Sequence, residues 1–249
     1  MKIILINLSF TLTLFLTACV PQNAKISAPK TQTNTLPFKA CNVAPEFASP
    51  KSIEAVINLI NALPRPLDIP CFISSLKRPL DISLTNSGLS AQPASGNSNP
   101  RIFIMLAPLI ISISVSGEGS YLVEFAESIG NSRSIKGELK FPIVSGALAA
   151  TAAFDRISTG TSTTCGGCHR YEEVTNSNYP GVVYESIALR PVNTSKVQLN
   201  DFQLEVGKCQ LATTPTYRCN LIFGLFNQGT LSQVDFDPGI PTFLESFTF

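Results

Sequence analysis

Seven cysteines and one histidine carry most of the chemistry open to this chain of 249 residues, and three of them stand together in Cys165-Gly166-Gly167-Cys168-His169. Two thiols spaced by two residues stand about a tetrapyrrole edge apart. Both can then add to the vinyl groups of one porphyrin, and the next residue offers its imidazole to the iron. Cys165 and Cys168 are therefore candidate covalent attachment points for haem c, one per chain, and His169 is the candidate axial iron ligand. Gly166 and Gly167 remove side-chain bulk where the backbone would lie against the macrocycle. The same residues admit a dithiol for thiol–disulfide exchange, half a zinc site, or a local disulfide with a histidine beside it. An exchange site wants the pair at a helix N-terminus beside a βαβ core, and no such pattern precedes Cys165. The single His excludes sites built on two imidazoles.

The five residues match the motif of c-type cytochromes residue for residue, and the chain resembles that family only there. Small soluble cytochromes carry an aromatic shortly before the first Cys and an axial Met well downstream. Here Ile157 and Thr161 stand before the motif, and no Met lies beyond Met105. The resemblance therefore implies covalent haem and His169 ligation, and does not extend to the small all-helical fold. The chain is similar instead to exported bacterial lipoproteins in which a haem motif sits on a loop of a mixed α/β scaffold. Met105 is a weak distal-ligand candidate, because its apolar run Arg101–Leu106 gives it an ordinary role as core filler. Lys, Tyr, a backbone group, water or a vacant position are the alternatives. A vacant position suits small-ligand sensing, whereas a strong ligand suits electron transfer. Arg170 is placed to pair with a haem propionate. Tyr171, Tyr179 and Tyr184 are placed to pack on the ring.

The N-terminus supplies the export that covalent haem attachment requires in bacteria. Lys2 precedes an apolar run from Ile3 to Leu16, interrupted by Asn7, Ser9 and Thr11. That reads as a signal peptide over 1–18 rather than a span. Leu16-Thr17-Ala18-Cys19 resembles a lipobox, so Cys19 is the lipidation candidate and membrane lipid the expected partner of the acylated N-terminus. Val20 after it, rather than Asp, favours the outer membrane by resemblance to the enterobacterial sorting rule. The expected location is the cell envelope, lipid-anchored, facing periplasm or cell surface. Residues 19–37 read as lipidated Cys and flexible tether, and 38–249 as one compact domain.

Four cysteines remain. In an oxidising compartment the nearest-neighbour pairing is Cys41–Cys71 and Cys209–Cys219. Net charge is +1, with 18 basic against 17 acidic residues, which is no footprint for nucleic acid. Redox proteins of unknown identity are the other expected partners, and no enzyme activity is expected. The Glu172-Glu173 and Asp235/Asp237 carboxylates read as solvated faces or turn residues, and Asn193-Thr194-Ser195 carries no bacterial function.

The elements follow from periodicity. Ser49-Pro50 opens a helix with Ile53, Val56, Ile57, Ile60 and Leu63 on one face, stopped at Pro64. Period-two alternation then marks half-buried antiparallel strands around Leu80–Leu84, Arg101–Leu106, Ile111–Val115, Tyr121–Phe125 and Ile135–Phe141. Turn signals lie at Gly117–Gly119 and Gly130–Ser132. Gly146–Phe154 is Ala-rich and reads as helical. Leu199–Cys209 and Cys219–Phe226 read as two helices joined by a disulfide, with a hairpin as the alternative. The fold class is α+β, mainly β: a sandwich-like or curled antiparallel sheet in the first half, with helices and the haem-motif loop in the second. The rival to the haem reading is a structural or ligand-binding lipoprotein held by disulfides, or a thiol–disulfide redox protein using Cys165 and Cys168.

Overall fold

A computed structural model describes residues 38–175, 178–214 and 216–248. The signal segment, Cys19 and the tether lie outside the described residues. Among the described residues eight strands make one mixed sheet: β1 (Leu80–Thr85), β2 (Arg101–Leu106), β3 (Leu109–Ser114), β4 (Leu122–Gly130), β5 (Arg133–Lys140), β6 (Glu173–Val174), β7 (Tyr184–Ile187) and β8 (Leu231–Gln233). Their order is β6-β7-β5-β4-β3-β2-β1-β8, antiparallel except for β8 beside β1. Five α-helices accompany them among the described residues: α1 (Ile53–Ala62), α2 (Ile69–Ser74), α3 (Ala152–Asp155), α4 (Leu199–Leu211) and α5 (Tyr217–Phe226). The class is thus α+β and mainly β. The first-half strands form a single antiparallel meander, and helices cover its apolar face where a sandwich would place a second sheet.

Register explains the two faces. Ile82, Ile104, Ile111 and Phe125 share one row across β1 to β4, and Leu84, Ile102 and Ile113 the next. With Ile135 and Leu139 of β5 they join Ile53 and Val56 of α1, Phe72 of α2, and Leu221 and Ile222 of α5 in one core. Alternation sends the other side chains to the opposite face, and that face is also covered. Ser83, Thr85, Ser112, Ser114, Ser134 and Lys136 are all buried there. The 88–100 loop closes part of it: Gln92 donates to the Gly119 and Leu122 carbonyls and accepts from Ser112 Oγ.

Several element boundaries differ from expectation. The cap of α1 is Ser52, whose hydroxyl accepts from Ala55 N at 3.1 Å. Glu127 of β4 takes the Ile53 amide at 2.8 Å, so the cap falls three residues after Ser49 and the helix starts at Ile53. Of the Ala-rich stretch Gly146–Phe154 only the last three residues are helical, as the start of α3. α2 shows no periodicity because all six of its residues are buried. Asp68 caps it, accepting from Cys71 N at 2.8 Å. α4 and α5 form as the two-helix reading expects. Both expected disulfides are present, Cys41–Cys71 holding the first described residues to α2 and Cys209–Cys219 joining α4 to α5.

Candidate functional site

The motif loop hangs between α3 and β6. After α3, Ser158 N donates to Phe154 O at 3.1 Å and Thr164 N to Ile157 O at 2.9 Å. Residues 158 to 163 close on themselves, with Gly160 at φ +98 supplying the turn. One helical turn then carries the chemistry. Cys168 N and His169 N both donate to Cys165 O, at 3.1 and 2.9 Å, so the two cysteines and the histidine share a single turn.

Glu172 holds that turn. Its carboxylate accepts from Thr163 N at 2.7 Å and from the Thr163 hydroxyl, and Thr163 Oγ1 in turn accepts from Cys165 N. A Cβ on Gly166 would meet Glu172 Oε2 at 2.9 Å, whereas Gly167 has nothing within 4 Å. Gly166 therefore makes room for Glu172 within the chain, a reason different from clearance of a macrocycle. The return path is clamped by Arg133 at the start of β5. Its guanidinium pairs with Glu185 at 2.6 Å and Glu173 at 2.7 Å and donates to Tyr171 O at 3.1 Å. The acidic pair Glu172-Glu173, read as a solvated face, thus positions the motif.

His169 Nδ1 lies 2.9 Å from Ile187 O. A carbonyl only accepts, so Nδ1 carries the proton and Nε2 keeps its lone pair. Burial, then the charge of Lys136 and that of Arg101, push the imidazolium form away, holding the ring neutral. This is how iron-ligating histidines are oriented by a neighbouring acceptor. The Cys165 thiol is free. Cys168 is in a disulfide, and not with Cys165. Burial, and secondarily Glu124, push the Cys165 thiol up to about 12.

The polar face of the sheet continues beneath the loop. Arg101 pairs with Glu124 and reaches Ser112 Oγ at 2.6 Å. Arg156 pairs with Glu138 at 3.0 Å. Lys136, buried on the same face one register row along, opposite Ala126, donates to Ser134 Oγ and enters no ion pair among the described residues. Burial lowers its ammonium to about 8.

Other sequence candidates fall elsewhere. Met105 shares a register row with Ile110, Ala126 and Lys136 but stands three strands from Lys136. At ~4.8 Å per strand that is about 14 Å of backbone separation. Arg170 stacks over the Phe247 ring at 3.4 Å. Tyr179 packs on Phe154 and donates to Glu127, beside α1. Tyr171 is exposed, and Tyr184 pairs with Val174 in the β6–β7 ladder. A shallow groove of about 410 Å³ lies towards the far edge of the sheet, lined by Asn193, Lys196, Asp235, Phe236 and Pro238, and brings no nucleophile to a base.

Among the described residues no three His, Cys, Asp or Glu side chains converge as metal ligands, which leaves a zinc reading of the cysteine pair without a ligand set. No described helix is long and apolar enough to cross a membrane. Compared with family models, curated proteins and solved structures, the chain matches none of them.

Proposed function

We propose that this is a lipid-anchored, haem-c-bearing protein of the cell envelope that passes electrons or senses a small ligand. The observation that carries the proposal is the orientation of His169. One turn sets Cys165, Cys168 and His169 together, and the Ile187 carbonyl holds Nδ1 so that Nε2 is the free ligand nitrogen. A haem needs one imidazole and two thiols rather than a cage of metal-binding side chains, and of these the turn offers His169 and the free Cys165, with Cys168 held in a disulfide. The haem would supply the iron for one-electron exchange or ligand binding. The chain would supply the Cys165 sulfur, the Cys168 sulfur once an external dithiol had reduced its disulfide and been oxidised to a disulfide in turn, and the His169 ligand. Glu172 and Arg133 keep the loop in place.

The geometry does not favour the dithiol alternative. Exchange cysteines are low-pKa and accessible, whereas the Cys165 thiol is pushed up by burial. The remaining rival, a structural or ligand-binding lipoprotein without haem, draws weak support from the Cys41–Cys71 and Cys209–Cys219 disulfides and from the engagement of Cys168 in another.

The test is a haem stain on a denaturing gel of protein exported from a host with haem-attachment machinery. Stain that survives denaturation and disappears in the Cys165→Ser/Cys168→Ser variant is expected. An unstained band of correctly exported protein would overturn the proposal in favour of the non-haem lipoprotein.

A further inference from the structure

Residues 234–248 span the sheet from β1 to beyond β7 and end against the motif turn. Val234 N donates to Ile82 O of β1 at 2.9 Å, and the Phe236 ring meets Phe103 of β2 edge-on at 4.9 Å. In the β4–β5 turn the Ser132 hydroxyl donates to Gly239 O at 3.2 Å. Beyond β7, Arg190 N donates to Pro241 O at 3.0 Å and its guanidinium to Ile240 O at 2.7 Å. The same guanidinium pairs with Glu245 at 3.6 Å. At the end of the segment the Phe247 ring lies under the Arg170 guanidinium at 3.4 Å.

Arg170 directly follows His169, and both are fastened to one residue. Ile187 N donates to Arg170 O at 3.2 Å, and His169 Nδ1 donates to Ile187 O at 2.9 Å. The segment from Ile187 to Arg190 therefore carries the motif turn at one end and the C-terminal segment at the other. The contact of Arg170 with Phe247 closes the circuit between them. Nothing ties residues 234–248 to the main core, which takes none of their side chains. Leu244 and Phe247 stay exposed, and Phe243 packs on Phe247 at 5.2 Å, within the segment itself. A segment with few core contacts opens locally at a fraction of the cost of global unfolding.

We infer that residues 234–248 are a strap that closes on the Cys165–His169 turn, latched by Phe247 and Glu245, and that its local opening gives access to the thiol and imidazole there. Cys165 and His169 are half-buried in the closed form. The strap acts on the turn itself, whatever the turn binds.

The experiment uses the full chain produced without haem-attachment machinery. Iodoacetamide reports on Cys165, the free thiol, and diethyl pyrocarbonate on His169, the only histidine of the sequence, each read from the mass of its peptide. Phe247→Ala and Glu245→Gln each remove one latch, and Leu211→Ala, at an exposed position of α4, is the control. Both labelling rates should rise together, by about fivefold in Phe247→Ala and about twofold in Glu245→Gln. The melting temperature should stay at the control value, and dilute urea should leave the rates unchanged, because the opening exposes little surface. Rates equal to the control in both variants would overturn the inference. So would rates that rise only as far as the melting temperature falls, since the strap would then open only with the whole fold.

Discussion

Glu172 governs the motif from seven residues downstream of Cys165, through a backbone amide and a hydroxyl that both belong to Thr163. Replacing it with Gln keeps the shape and removes the charge that strengthens both bonds. Glu172→Gln should therefore cost about 1–2 kcal/mol in denaturant unfolding. It should also speed alkylation of Cys165 in haem-free protein. Unchanged stability and unchanged alkylation would show that Glu172 is a bystander.

Cys165 itself offers a second check. With its thiol held up at about 12, native haem-free protein should react with iodoacetamide at pH 8 about a thousandfold more slowly than an ordinary cysteine. Rapid labelling before denaturation would revive the dithiol reading.

Lys136 gives the pH dependence. Its folded pKa is lowered to about 8 from 10.5, so the unfolded chain binds more protons between these values. Stability should then rise with pH across that window, by at most ~3 kcal/mol. Cys165 works against this above pH 9, because its raised pKa makes stability fall as pH rises. The measurement is urea unfolding from pH 8 to 10.5 in a haem-free Cys165→Ser chain, where the rise should be present and should disappear on adding Lys136→Met.

These residues were unevenly legible in the sequence. The motif announces itself because its spacing is local. Glu172 did not, since its partner is brought to it by the 158–163 turn. Lys136 looked like the solvent-facing half of an Ile135/Leu139 alternation. Alternation reports which face a side chain takes and says nothing of what covers that face.

At the scale of elements, β1 to β5 were readable as strands because one of their faces meets the helices. β6, β7 and β8 are two to four residues long, too short to show a period, and exist because neighbouring strands hold them. The helices divide in the same way. α1 keeps a polar side and was visible, whereas α2 is buried all round and was not.

Gly224, which weakens α5 by propensity alone, has a packing reason. A Cβ there would meet the Pro70 carbonyl of α2 at 2.7 Å. Gly224→Ala gains about 1 kcal/mol of helix propensity and pushes α5 off α2, an overpacking cost of about 1–3 kcal/mol. The net expectation is a lower melting temperature. A more stable Ala variant would mean that the α2–α5 contact is looser than described.

For the whole molecule, the sheet offers two buried faces with different uses. The apolar face supplies the core. The polar face, with its Arg101–Glu124 pair and buried Lys136, underlies a loop whose residue types suit a covalent cofactor. The most direct measurement of that assignment is the mass of the Cys165–His169 peptide from protein matured in a haem-attaching host. The account predicts one haem added through both cysteines, and a low-spin or high-spin iron spectrum that Met105→Leu leaves unchanged. A peptide from fully exported protein that carries no added mass, with Cys165 still a thiol, would contradict it.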